Sequence, residues 1–184
     1  MMPKKFLPSL LLLATVCGLF AACSPHTGAP VVATATTPEK AVRNFYNWRV
    51  RTQLTGLPSD QQLEDLKPYI SVELHDLLAA TAARAKRQSS RKSKGRSFID
   101  GDVFSSLSEG PTSFVPGDIE NRPNGEHLVA VQLMSAQHLP AVHWMDHALV
   151  IRENDRYVVA DIQYANHWRV GNKQTLVGAL KQKI

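Results

Sequence analysis

EHLVAVQLM, residues 126–134, is the stretch that decides the fold. Leu128, Ala130, Gln132 and Met134 alternate with Val129, Val131 and Leu133, and a period of two belongs to a half-buried strand. Two more such runs follow, residues 143–152 and 156–164. Glu153-Asn154-Asp155 joins them and suits a tight turn. Three closely spaced strands predict an antiparallel meander in the last third of the chain.

The first half reads differently. Thr37-Pro38-Glu39 has a capping hydroxyl, a proline for the first turn and an acid beside it, which together start a helix. Ala41, Val42, Phe45, Tyr46, Trp48 and Arg49 recur at helical spacing up to about Leu54. Gly56-Leu57-Pro58-Ser59-Asp60 is a loop, and Ser59 or Asp60 can cap a second helix through Leu63 and Leu66. After Pro68, Ser71 can cap a third, with Leu74, Leu77, Leu78 and Thr81 as its buried stripe. Between helix and sheet, a Gly/Pro/Ser-rich stretch runs to Pro116. Residues 175–184 read as a closing helix with Leu176, Val177 and Leu180 inward. Helices first and a meander second predict an α+β fold, with helices on one face of a curved sheet.

The N-terminus gives location. Lys4 and Lys5 precede an apolar run centred on residues 10–16, and Leu19-Phe20-Ala21-Ala22-Cys23 closes it. A positive start, an apolar heart and small residues before a cysteine form a bacterial lipoprotein signal. The expected organisation is a signal over 1–22, a flexible tether over 23–38 with Cys23 lipidated, and one domain over 39–184. Alternatives are an ordinary secretory signal leaving a free thiol, or an uncleaved anchor of marginal length. Three acyl chains would make the attachment permanent. Ser24 rather than Asp follows the cysteine, which by resemblance to enterobacterial sorting rules favours the outer membrane. A signal cleaved before Cys23 takes Cys17, Lys4 and Lys5 with it, so the mature chain has one cysteine and a net charge of +3. No disulfide and no cysteine-based metal site follow. The core must hold the fold.

The segment 84–96 (RAKRQSSRKSKGR) holds Arg84, Lys86, Arg87, Arg91, Lys92, Lys94 and Arg96, and no acid. It reads either as a solvated helix end and loop or as a surface that leans on anionic headgroups, at about 1 kcal/mol per basic residue. No aromatic is interleaved with it, and an exported chain rarely meets nucleic acid, so nucleic-acid binding is not expected.

Several pieces of the chain resemble the YbjP-like bacterial lipoproteins. Phe45-Tyr46-Asn47-Trp48-Arg49-Val50 carries the resemblance, as does Leu66-Lys67-Pro68-Tyr69-Ile70-Ser71 with Leu74, Leu77 and Leu78. Asp102-Val103-Phe104-Ser105-Ser106 is similar to an Asp-Pro-Phe-Ser-Ser loop of that family, with Val103 in place of proline. Residues 144–164 resemble its strand pair, and Gln174-Thr175-Leu176 with Leu180 resembles its closing helix. The basic 84–96 segment departs from it. The resemblance implies a cone-shaped α+β domain of the nuclear-transport-factor type, no shared catalytic motif, and life in the cell envelope.

Chemistry is thin. His143-Trp144-Met145-Asp146-His147 puts two histidines at i and i+4, which hold zinc on a helix. On a strand the rings stand about 13 Å apart at roughly 3.3 Å per residue, and the flanking periodicity is that of a strand, so no metal is expected. Ser105, Ser106 and Asp102 offer a hydroxyl near an acid, without a Gly-x-Ser-x-Gly turn. Asp161 lies mid-strand, on the face of Val159 and Gln163. With Tyr164 and His143 it is the one candidate pocket, where an inward carboxylate can act as a base; its plainer role is to accept a hydrogen bond. No cofactor is implied. The reading is a non-enzymatic outer-membrane lipoprotein facing the periplasm, serving an envelope partner such as an outer-membrane channel complex. The alternatives are an immunity-type lipoprotein that neutralises a toxin, and a small-ligand binder or enzyme using a pocket near Asp161.

Overall fold

The computed structural model describes residues 34–89, 101–164 and 175–182. Helices α1 (Pro38–Thr52), α2 (Asp60–Leu66) and α3 (Val72–Ser89) come first. Strands β1 (Ser113–Asn121), β2 (His127–Ser135), β3 (Val142–Glu153) and β4 (Arg156–Tyr164) follow, and α4 (Leu176–Leu180) closes the domain. The four strands form one antiparallel meander in the order β1-β2-β3-β4. The fold is α+β, as expected.

The starts of the helices follow their sequence signals. The Thr37 hydroxyl accepts the Lys40 N–H, with Pro38 in the first turn. Ser59 and Gln62 form a reciprocal capping box at α2. The Ser71 hydroxyl accepts the Leu74 N–H at the start of α3. Asn154 and Asp155 both adopt positive φ (47° and 61°), so the β3–β4 turn twists with its strands.

Helix α1 lies across the inner face of the sheet and touches all four strands. Its Val42, Phe45, Tyr46 and Trp48 meet Val129, Val131, Leu133, Ala148 and Val150 in the core. Phe104, from the loop after α3, stands edge-on to Phe45 (5.3 Å) and to Trp48 (6.4 Å). Tyr46 contacts Phe114 of β1 at 5.5 Å.

Three expectations are corrected. The Gly/Pro/Ser-rich stretch contains a strand, β1. It is an edge strand with an irregular register between Pro116 and Ile119, and only an edge tolerates a proline that cannot donate to the ladder. The tether is shorter than residues 23–38. Ala35 is buried, and its carbonyl accepts the Tyr157 N–H at 3.0 Å, so the chain is docked against β4 before α1 begins. Strict alternation also fails in β4. Asp161 pairs with Leu149 but Val159 pairs with Val150, so Ala160 is a bulged residue. Val159, Ile162 and Tyr164 therefore join the core together, where simple alternation had put Val159 on the opposite face.

The free edge of β4 is covered. Val159 exchanges backbone hydrogen bonds with Tyr69 and Ser71, both at 2.9 Å. Further along the strand, Gln163 bridges to Thr175.

Candidate functional site

The polar groups of the interior gather around the loop Asp102–Ser106. Three elements reach this loop. From α1, Arg49 Nε donates to Asp102 Oδ2 at 2.9 Å and Nη2 lies 2.6 Å from the same oxygen. Arg49 Nη2 also donates to the Leu54 carbonyl at 3.0 Å. Asp102 Oδ1 accepts the Phe104 N–H at 2.9 Å. From β3, Asp146 takes the Ser106 N–H on Oδ2 at 2.8 Å and the Ser106 hydroxyl on Oδ1. Trp144 Nε1 adds a third donor to Asp146 at 3.2 Å. From β4, the Tyr164 hydroxyl donates to the Val103 carbonyl at 2.5 Å.

Arg49, Asp102, Ser105 and Asp146 are all buried, as is Tyr164. Burial pushes the Asp102 carboxyl up from its ordinary value, while the Arg49 guanidinium and the Phe104 N–H pull it back. Burial also raises the Tyr46 and Tyr164 hydroxyls well above theirs, reinforced by the neighbouring carboxylates. Both remain neutral phenols at ordinary pH. The cluster therefore has the features of a lock. A buried ion pair with satisfied carboxylate oxygens, a carboxylate that grips a loop by both backbone and side chain, and a tyrosine on a loop carbonyl all fix where residues 102–106 sit. Ser105 is spent as well, since its hydroxyl accepts the Leu107 N–H. Arg49 is legible as a charged residue on the apolar side of α1. Asp146 was not singled out, because one acid between two histidines on a strand gives no signal of burial.

The structure does not assemble the pocket expected from Asp161, Tyr164 and His143. Tyr164 faces inward opposite Asp146. Asp161 pairs with Leu149, three positions from Asp146 along β3, and so takes the outer face. His143 is exposed and six residues from Leu149, about 20 Å along the strand. Regular alternation in β4 puts Asp161 and Tyr164 on opposite faces, and distance along β3 separates His143 from Asp161. Asp161 has another task. Its carboxylate accepts the Val177 N–H at 2.9 Å and the Ile162 N–H at 2.8 Å, and it bonds the Thr175 side chain. It thereby pins the first turn of α4 to β4, next to the Thr175 cap on Gly178. His143 and His147 lie on β3.

Burial raises the Asp161 carboxyl, outweighing those hydrogen bonds. An acid raised in the fold favours folding below its ordinary value, near 4, and loses that contribution as pH rises through the folded value. Asp161→Asn keeps an oxygen acceptor and removes the ionised form. It is expected to match the parent near pH 3.5 and to be slightly more stable at pH 7. Asp161→Ala loses the acceptor for α4 and costs about 1 kcal/mol near pH 3.5, and less at pH 7. Urea unfolding at the two pH values checks this.

The basic segment divides. Arg84 caps α4 from α3, donating to the Leu180 carbonyl at 3.1 Å and to Thr81 Oγ1 at 2.7 Å. Lys86 pairs with Asp60 of α2 at 2.7 Å. These two serve the fold, and Arg87 is exposed on α3. Arg91, Lys92, Lys94 and Arg96 lie outside the described residues, as do Cys23 and the signal. No helix among the described residues is long and apolar enough to cross a membrane.

No family model matches the chain, and no solved structure matches it. It is similar to the "Uncharacterized lipoprotein YbjP" of Escherichia coli (strain K12), 25% identical over 150 residues that cover 80% of this chain and 75% of that one. This weak similarity supports a lipoprotein of the YbjP-like kind, in line with the resemblance read from the sequence.

Proposed function

We propose that this is an outer-membrane lipoprotein whose periplasmic domain acts without catalysis, as an accessory module for an envelope partner. The observation that carries this reading is the use made of the interior polar groups. Asp102, Ser105, Ser106, Asp146 and Tyr164 are the residues from which a site would be built, and each is engaged in holding the loop at 102–106. Phe45, Tyr46, Trp48 and Phe104 fill the space between helix and sheet. On this reading, function rests with the surface and the lipid. A tether raises the local concentration of a weakly binding domain enough to hold a partner in the same membrane. Ser24 after Cys23 supports the outer membrane, by resemblance to enterobacterial sorting.

The test is a lipid-retaining, crosslinked pull-down of the native protein beside Cys23→Ala. Recovery of one envelope complex with native protein, and its loss with the variant, is the expected result. Recovery of a soluble toxin, or binding of a small molecule by the unlipidated variant, overturns the accessory reading.

A further inference from the structure

We infer that the outer face of the sheet is a self-pairing surface, on which a second copy of this chain docks within the same membrane. The register lines up two rows across three strands, Ser113–Met134–His143 and Val115–Gln132–Met145. Their partners in alternation, Val131, Leu133 and Asp146, are buried in the core, so these rows face away from it. Val115 is 58% exposed and Met145 39%. Neither row contains Lys, Arg, Asp or Glu. The charged residues that the register puts on this side of the sheet lie away from these rows: Glu120, paired with Leu128 near the β1–β2 turn, and Asp161, paired with Leu149 and bound to α4.

Charge depletion with exposed methionine and aliphatic side chains is the composition of an interface core. Self-pairing suits it for two further reasons. The mature chain, with a net charge of +3, would repel its copy elsewhere on its surface, and at these rows two copies meet without like charges. The exit of the chain also fits. Ala35 is held by Tyr157, next to the β3–β4 turn, so the tether leaves from the end opposite the uncharged rows. A two-fold axis along the strands brings the outer faces together and keeps both exits at one end, as two anchors in one membrane require. The ten residues between Cys23 and Thr34 span at most about 40 Å, which holds both domains near that membrane. Three strands about 4.8 Å apart and some four residues deep offer roughly 190 Å² per copy. A standard interface takes about 800 Å² per partner. The pairing is therefore weak in dilute solution and relies on confinement by the tether.

Disulfide crosslinking of the full-length chain in native membranes tests this. Met145→Cys is compared with Val72→Cys, which is also exposed but lies at the start of α3 beside Glu153. The expected result is a species of twice the chain mass from Met145→Cys and little from Val72→Cys. Adding Gln132→Glu sets like charges against each other and should lower the yield at least about tenfold. Equal yields at both sites, no double-mass species, indifference to Gln132→Glu, or a conjugate to a different protein would each overturn self-pairing. None of these decides the accessory role, which the pull-down tests separately.

Discussion

Arg49→Met lowers the stability of the domain by about 3–5 kcal/mol, the cost of leaving a buried carboxylate without its partner. Methionine fills much of the arginine's volume, so the loss is electrostatic rather than a cavity. Asp102 would keep its hydrogen bond from Phe104 and lose both contacts to the guanidinium. The Leu54 carbonyl would lose a donor too. The pH dependence follows from the direction of the shift. Burial raises Asp102 and Arg49 opposes this, so removing Arg49 raises the carboxyl further. The variant then takes up a proton on folding. Its deficit is full above the new folded value and shrinks as pH falls toward the ordinary carboxylate range. Urea unfolding at pH 7 and pH 4.5 should give a clearly smaller difference from the parent at the lower pH. The double variant Arg49→Met/Asp102→Leu should recover part of the loss, because replacing both partners of a buried pair with apolar groups costs far less than removing one. A double variant no more stable than the single one would mean that the pair does not carry the effect.

The same pair marks how far the sequence could be read. Strands β2, β3 and β4 were legible because a buried inner face enforces alternation over their length, and three of the four helices declared their caps at Thr37, Ser59 and Ser71. Strand β1 was not legible, since Pro116, Gly117 and Asp118 are turn-forming residues that an edge can carry and a central strand cannot. A bulge has no alternation signature, so Val159 was put on the face of Asp161 and not in the core; the proposed pocket fails separately, because Asp161 and Tyr164 take opposite faces of β4. Arg49 was visible on the apolar side of α1, but its partner is 53 positions away and only the fold brings the two together. Distance in sequence hid the cluster, although its residues were nearly all on view as the Phe-Tyr-Asn-Trp-Arg and Asp-Val-Phe-Ser-Ser motifs. The physical content of those motifs is one contact between them.

Gly110→Ala attacks that contact from the other side and should cost about 2–4 kcal/mol. Gly110 sits at φ +73°, where a side chain costs about 1–2 kcal/mol by itself. A Cβ there would stand 2.1 Å from Arg49 Nη2 and 2.6 Å from Asp102 Oδ2, so relief requires the ion pair to move. Neither partner can move cheaply. Arg49 is buried and bound to Leu54, and Asp102 is pinned to the Phe104 N–H and by its own N–H to the Ser108 carbonyl at 2.6 Å. Gly125 is the internal control. It has φ +80° and open space around its Cβ position, so Gly125→Ala should show the conformational cost alone. The difference between the two variants in urea unfolding measures the price of displacing the pair. That difference should largely disappear when both glycine variants are made in the Arg49→Met/Asp102→Leu background, because the charged atoms the Cβ would meet are then gone. If it persists there, the tight fit at Gly110 belongs to the backbone of the loop, and the ion pair is not what requires glycine at this position.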